Sequence, residues 1–337
     1  MQEVSLIQLA RALTLPRVVN AAGAVGGFLA SAITKKNFVW GMPPVLTVEP
    51  TNICNLRCPL CVTGNGSMAR PKGRMDFPTF QRLIDELGNK IIYVILFQQG
   101  EPYINHHFLD FVAYAKARRL YVTTSTNAHY FDLETCRRTV ESGIDTMIVS
   151  VDGATQESYA KYRVGGNLEK VLDGIRHLVA AKKTARRKTP YIYLQFLIFR
   201  HNEHEIPVME KLARSLGVDR FLKKNVQVET LAEAREWLPR EERYRRYQLN
   251  EDNFVVKSGQ GVCPRPWLST MVNWDGTVVP CCFDKNGKHT TGDMQQSESF
   301  VKIWNALEYH NFRQEMLSRR DGIDICKNCN QGLRVFV

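Results

Sequence analysis

Three cysteines fall within eight residues, Cys54-Asn55-Leu56-Arg57-Cys58-Pro59-Leu60-Cys61, spaced C-x3-C-x2-C. Three thiolates on one short loop can wrap one face of a soft metal centre, and thiolates favour zinc or iron–sulfur clusters. A structural zinc site asks for a fourth protein ligand nearby; none is evident, and the nearest histidine is His106. Three cysteines therefore leave one position open. On a cubane cluster that position is an iron able to bind an outside ligand, which is a provision for chemistry rather than for scaffolding.

A second group stands near the other end of the chain: Cys263, Cys281, Cys282 and the C-x2-C pair Cys326 and Cys329. Trp274-Asp275-Gly276-Thr277 supplies a hairpin turn, Asp-Gly being a strong signal for one. A hairpin returns the chain so that Cys281 nears Cys263, and a helix over 300–319 then delivers Cys326 and Cys329. Four thiolates so delivered make a closed site, which by itself suits structural zinc or a [4Fe-4S] cluster. Adjacent side chains of a strand point to opposite faces, so one of Cys281 and Cys282 is expected to ligate; Cys281 is the choice and Cys282 the alternative. Cys136, in a helix, reads as a buried, idle thiol.

These loops need elements to hold them. From residue 45 strand and helix alternate. VLTVE at 45–49, IIYVILF at 91–97, YVTTST at 121–126, TMIVSV at 146–151, YIYLQFLIF at 191–199 and residues 220–226 read as strands. Helices are expected over 78–88, 108–119, 134–142, 168–182 and 205–216. Six strands alternating with five helices mean parallel βα units, doubly wound or curled into a full or partial barrel, with functional residues at the C-terminal strand ends. The first cysteine loop follows the first strand directly.

Around this core the sequence divides into a helical preface over 1–44, the repeat over 45–226, a charged linker or exposed helix over 227–259, and the cysteine-bearing region over 260–337. The preface is apolar but rich in Ala and Gly, with Lys35 and Lys36 after it. It reads either as a segment lying on a membrane surface with its lysines at the headgroups or as a helix capping the main domain.

With 337 residues, 44% hydrophobic and 23% charged, the chain has an ordinary globular balance. A disordered chain, a collagen-like repeat and a long coiled coil are excluded. No stretch of about 20 uninterrupted strongly apolar residues is present. A net charge of +11 admits a charged cofactor, a nucleic acid or an acidic membrane as partner. Nine clustered cysteines and no basic n-region at the N-terminus suggest a reducing, cytoplasmic setting in which thiols serve metals. A peripheral place at the inner membrane surface is the variant that the preface would add.

The first cysteine motif, in the loop after the first strand, resembles that of the radical S-adenosylmethionine (SAM) enzymes, and further stretches follow in the family's order. Gln99-Gly100-Glu101-Pro102 is similar to the Gly-Gly-Glu-Pro element, with Gln99 in place of the first Gly. Ser125-Thr126-Asn127, Ser150-Val151-Asp152-Gly153 and Tyr162-Arg163-Val164-Gly165-Gly166 follow, the first two closing successive strands. The resemblance implies a partial (β/α)6 TIM-like barrel and a [4Fe-4S] cluster on Cys54, Cys58 and Cys61 whose open iron chelates SAM. Reductive cleavage then yields a 5′-deoxyadenosyl radical that abstracts a substrate hydrogen. Gln99, Gly100, Glu101, Pro102, Ser125, Asn127, Ser150, Asp152 and Arg163 are the implied SAM-binding residues, Arg163 as a partner for the methionine carboxylate, which a planar guanidinium suits. The C-terminal region resembles SPASM and the shorter "twitch" extensions, implying one auxiliary [4Fe-4S] cluster on Cys263, Cys281, Cys326 and Cys329.

Two enzyme readings follow from the resemblance. One is dehydrogenation of a hydroxyl-bearing small molecule or lipid-linked substrate, with the auxiliary cluster as electron acceptor. The other is a peptide maturase forming crosslinks or epimers, against which the roughly 44 residues before the first strand speak, since leader-binding domains of such maturases are longer. A flavodoxin- or ferredoxin-type electron donor is implied. Glu229, His201, His204 and Arg200 lie at or beyond strand ends as candidates for proton transfer, and no general base is assigned. A non-enzyme alternative, a zinc- and cysteine-bearing nucleic-acid-binding protein, draws on basic runs such as 116–119 and 182–188. Those two runs sit at helix C-termini, where the helix dipole favours positive charge, so no nucleic acid is expected.

Overall fold

The computed structural model describes residues 6–257, 261–297 and 299–329. Residues 1–5, 258–260, 298 and 330–337, in the expected preface, linker and C-terminal region, lie outside the described residues.

The strands are β1 (Val45–Val48), β2 (Tyr93–Ile95), β3 (Tyr121–Thr126), β4 (Thr146–Ser150), β5 (Tyr191–Ile198), β6 (Arg220–Asn225), β7 (Tyr247–Leu249), β8 (Phe254–Val256), β9 (Ser269–Val272), β10 (Thr277–Val279) and β11 (Gly292–Asp293). The helices are α1 (Leu6–Ala12), α2 (Leu15–Thr34), α3 (Phe77–Leu87), α4 (Phe108–Ala117), α5 (Leu133–Glu141), α6 (Gln156–Tyr162), α7 (Leu168–Thr184), α8 (Ile206–Leu216), α9 (Leu231–Trp237), α10 (Arg265–Leu268), α11 (Phe300–Trp304), α12 (Leu307–Arg319) and α13 (Asp324–Lys327). Strands β1 to β6 alternate with helices, the α/β class with parallel strands that the pattern implies. The chain divides into two compact units, one drawn from residues 1–53, 68–123 and 258–337, the other from 54–67 and 124–257.

In the first unit β2 pairs in parallel with β1 and β3, through Val45↔Tyr93 and Tyr93↔Tyr121. Tyr93 and Tyr121 stack at 5.0 Å between ring centroids. Helix α3 begins where Asp76 accepts the Thr79 N–H at 2.7 Å, a cap worth about 1 kcal/mol. Its stripe Phe80, Leu83, Ile84 and Leu87 is fully buried. In the second unit β4, β5 and β6 pair in parallel, through Thr146↔Tyr191 and Tyr193↔Arg220. Helix α8 stops at Gly217, whose φ of +72° closes the helix in the left-handed region.

Three features differ from the sequence expectation. The C-terminal region joins the parallel sheet: β9 pairs with β1 in parallel, Val45↔Ser269, and β10 returns antiparallel, Val278↔Val272, across the expected Asp-Gly turn. The expected helix over 300–319 is two helices broken at Asn305-Ala306. The break lets Trp304 and Tyr309 both turn inward and pack edge-on at 4.5 Å, with the Arg313 guanidinium 4.0 Å from each ring and donating to the Trp304 carbonyl at 2.9 Å. Finally, the charged stretch after 226 is not a mere linker. Trp237, Leu238 and Tyr247 are buried in a core with Leu56, Cys58, Tyr162 and Phe199. The charges there sit between widely spaced large apolar residues, so composition concealed the anchors.

Candidate functional site

The loop after β1 enters the second unit at Cys54. Cys58 is buried, and Cys54 and Cys61 are half-buried. The Arg57 N–H donates to the Val164 carbonyl at 2.9 Å, and the Cys61 N–H to the Cys58 carbonyl at 3.1 Å. Gly64 closes the loop against Cys58 so tightly that a Cβ there would lie 2.4 Å from the Cys58 nitrogen. Asn127, just past β3, donates to the Asn55 side chain at 2.9 Å, with Cys54 Sγ 3.9 Å away. Thus Asn127 steadies the cysteine loop directly. Burial pushes the Cys58 thiol up, and the nearby Arg163 guanidinium opposes that in part.

Asp152, past the end of β4, is wholly buried. One of its oxygens accepts from the Leu197 N–H at 2.7 Å and the other from Arg163 Nε at 2.6 Å. Burial works against the Arg163 charge, and Asp152 and then Cys58 more than restore it, so the guanidinium stays protonated. Ser150 is buried at the end of β4, and Ser125 is half-buried within β3. The second unit thus brings together Cys54, Cys58, Cys61, Asn127, Asp152 and Arg163. Asn202 and Glu205 take part as well. Asn202 donates to the Asp152 carbonyl at 2.9 Å, and Glu205 accepts from the Ala154 N–H and the Ser158 hydroxyl at 3.0 and 2.8 Å. Together they brace the strand end that carries Asp152.

The remaining expected SAM contacts lie in the first unit. Gly100 has φ +74°, and a Cβ there would lie 2.5 Å from the Thr51 carbonyl oxygen. The Glu101 N–H donates to the Ile53 carbonyl at 2.8 Å, Glu101 is buried, and Pro102 opens a short 3-10 turn. Gln99 is not among the described residues of positive φ. Its side chain therefore costs no backbone strain where the related element has Gly.

The first unit also gathers the C-terminal cysteines. Cys263 and Cys326 pack in a core with Trp267, Phe312 and Ile323. Arg265 lies among Cys282, Cys281, Cys263 and Cys329; burial would lower its guanidinium, and those sulfurs together hold it up. Its Nη1 is 3.6 Å from Cys282 Sγ, and Gln98 donates to the Cys282 carbonyl. A hydrogen bond to Cys282 and then burial push the Cys281 thiol up; burial raises Cys263, and Cys326 to about 12. None of the nine cysteines is joined in a disulfide. Among the described residues no three His, Cys, Asp or Glu side chains draw in around a single metal ion; cysteines that ligate a cubane take one iron each, and both groups suit that kind of centre.

Sequence reasoning missed Glu49, Arg70 and Arg265. Glu49 is wholly buried at the end of β1 and takes Arg70 in a two-pronged pair at 2.8 and 2.7 Å. Arg70 also donates to the Lys285 carbonyl at 2.9 Å, and the Trp274 N–H lies 3.3 Å from Glu49. This pair ties β1 to the segment beside Cys281 and Cys282. A carboxylate closing an apolar strand was the available signal.

Residues 48–213 match the family model of the Radical SAM superfamily, and residues 263–330 that of SPASM, the iron–sulfur cluster-binding domain. The chain is 29% identical over 175 residues to mycofactocin maturase MftC of Mycobacterium ulcerans (strain Agy99), covering 52% of this chain and 45% of that protein. The chain thus spans less than half the length of the first curated relatives it matches. Its fold is similar to that of BtrN in complex with AdoMet and 2-DOIA, with a TM-score of 0.53, 18% identity, and coverage of 86% of this chain and 93% of that one. It is also similar in fold to Streptococcus suis SuiB bound to precursor peptide SuiA, with a TM-score of 0.62, 14% identity, and coverage of 90% and 74%. With both family models matched in order along one chain, this protein belongs to the radical SAM superfamily, carries a SPASM-type iron–sulfur region, and takes S-adenosylmethionine and [4Fe-4S] clusters as cofactors.

Proposed function

We propose that the enzyme removes two electrons and two protons from a CH–OH group, leaving C=O, on a hydroxyl-bearing small molecule or a lipid-linked substrate. When bound, SAM on its cluster supplies a hydrogen-abstracting 5′-deoxyadenosyl radical, and the auxiliary cluster supplies an acceptor for the second electron. Cys54, Cys58 and Cys61 hold the first cluster. The turn Gln99–Pro102 with Ser125, Asn127, Ser150, Asp152 and Arg163 serves SAM. Because Arg163 spends its Nε on Asp152, only its remaining guanidinium nitrogens face that task. Cys263, Cys281, Cys326 and Cys329 hold the auxiliary cluster.

The observation that carries the oxidation reading is the placing of Cys282. Arg265 Nη1 reaches its sulfur at 3.6 Å, in keeping with Cys263, Cys281, Cys326 and Cys329 as the ligands of a fully ligated cluster with no iron open to substrate. Such a centre is suited to take an electron rather than to bind a reactant. His201 packs on Phe199 at 5.3 Å and edge-on to Trp237 at 5.8 Å. Burial and then Lys161 lower its pKa, and neither it nor the exposed His204 is assigned as base. A flavodoxin- or ferredoxin-type protein is the proposed electron donor.

A second reading, a peptide maturase, is favoured by the 29% identity to a maturase. The test is anaerobic turnover with a chemical reductant, scoring 5′-deoxyadenosine and substrate mass. Loss of two hydrogens from a hydroxylated compound supports oxidation. Crosslinked or epimerised peptide, with hydroxylated compounds unchanged, rejects it.

A further inference from the structure

Helix α2 wears its polarity inside out. Arg17, Asn20 and Ser31 are buried. Arg17 donates to the carbonyls of Ala12, Gly88, Arg118 and Arg119 at 2.6–3.1 Å. Asn20 donates to those of Met42 and Lys90 at 2.9 and 3.0 Å and accepts the Met42 N–H. Ser31 donates to the Gly27 carbonyl and accepts the Phe38 N–H at 2.8 Å. Small residues bring the helix close: a Cβ on Gly23 would lie 2.7 Å from the Trp40 carbonyl oxygen, and one on Gly27 2.9 Å from that of Phe38. The inner face is therefore fixed by polar bonds and close backbone packing.

The outer face is apolar. Leu15, Val18, Val19, Val25, Leu29 and Ile33 fall on one stripe at helical spacing, and Leu15, Val19 and Ile33 are 77%, 61% and 81% exposed. Beside the stripe, Trp40 is 60% exposed. From Val4 to Val48 the sequence has no Asp or Glu, whereas Arg11 stands before the helix and Lys35 and Lys36 after it. All three of these basic residues are exposed.

We propose that α2 is an interfacial helix that seats this enzyme on an anionic lipid surface, its apolar stripe in the acyl boundary and Arg11, Lys35 and Lys36 among the headgroups. Its length and composition would also allow a span. Spanning, however, would strip Arg17 and Asn20 of their carbonyl partners and carry a guanidinium into hydrocarbon. A second copy of the chain is a poorer occupant. An antiparallel pairing of the stripe with itself would set Arg11 of one copy beside Lys35 and Lys36 of the other, with no acid to offset them. The inference stands apart from the choice of substrate.

The test is sedimentation of the full-length, cluster-loaded protein with vesicles of phosphatidylcholine, alone or with about one-third phosphatidylglycerol. Wild type is expected to sediment with the anionic vesicles and far less with the neutral ones. Val19→Glu/Leu29→Glu should cut binding at least about tenfold while iron content and far-ultraviolet dichroism stay at the wild-type level, because both positions are exposed. Lys35→Glu/Lys36→Glu should abolish the preference for anionic lipid. If the glutamates unfold the protein, Val19→Ser/Leu29→Ser must show the same loss. Wild type that stays in the supernatant overturns the proposal, and so do variants that bind as well as wild type. A concentration-dependent dimer dispersed by the same substitutions would replace the lipid with a second copy.

Discussion

Arg163 Nε lies 2.6 Å from Asp152 Oδ2, in a pair whose side chains are 15% and 0% exposed. A guanidinium so largely buried beside Cys58 depends on its partner. Asp152→Asn leaves it uncompensated and should cost about 3–5 kcal/mol in urea unfolding of the protein. The variant should also lose iron from the first cluster while keeping that of the C-terminal cysteines. Unchanged stability would mean that the pair is peripheral to the fold of the loop.

Gly100→Ala tests the turn after β2. The position has φ +74°, and the added Cβ would meet the Thr51 and Ile53 carbonyl oxygens at 2.5 and 2.7 Å. Those carbonyls belong to the backbone that leads into Cys54, so they yield only by moving the cysteine loop. A loss of about 2–3 kcal/mol is expected, with SAM affinity falling at least several-fold by equilibrium dialysis.

Cys281 and Cys282 can be separated by iron content. Cys282→Ala should retain about eight irons, two cubanes, whereas Cys281→Ser should fall to about four. The reverse pattern would move the ligand to Cys282 and free Cys281.

How much of this was legible beforehand varies with the kind of interaction. The cysteine spacing, the strand-end residues Asn127 and Asp152 and the Asp-Gly turn at Asp275 are local signals, and the structure places them on the expected strand ends and hairpin. Arg163 was singled out from the sequence, but its bond to Asp152 depends on a meeting of chain segments eleven residues apart. Glu49, Arg70 and Arg265 are long-range: the Arg70–Lys285 contact crosses 215 residues, and no periodicity records it. Trp237 and Tyr247 were hidden for a different reason. Their neighbours are charged, and burial there is carried by isolated large side chains rather than by a stripe. In helix α2 the buried Arg17, Asn20 and Ser31 left no mark in the sequence, because their partners are backbone carbonyls and amides that no side-chain pattern records.

Cys136 makes a pH-dependent prediction. It is fully buried, and burial raises its thiol from 9.0 to about 12. The unfolded thiol ionises near 9 and the folded one does not, so its contribution to stability is complete below that pH and is lost as pH rises toward 12. In native protein Cys136 should resist iodoacetamide at pH 8 and react only after denaturation, as followed by peptide mass mapping. Modification of the native protein at a rate typical of an exposed thiol would contradict its burial.

The pairing of one open and one closed cubane is tested most directly by iron and sulfide analysis with Mössbauer spectra of anaerobically purified protein, wild type and Cys54/Cys58/Cys61→Ala. About eight irons per chain, falling to about four in the triple variant, are expected from two cubanes. About four irons in wild type and almost none in the variant would leave the C-terminal cysteines without a cluster and the proposed oxidation without its acceptor.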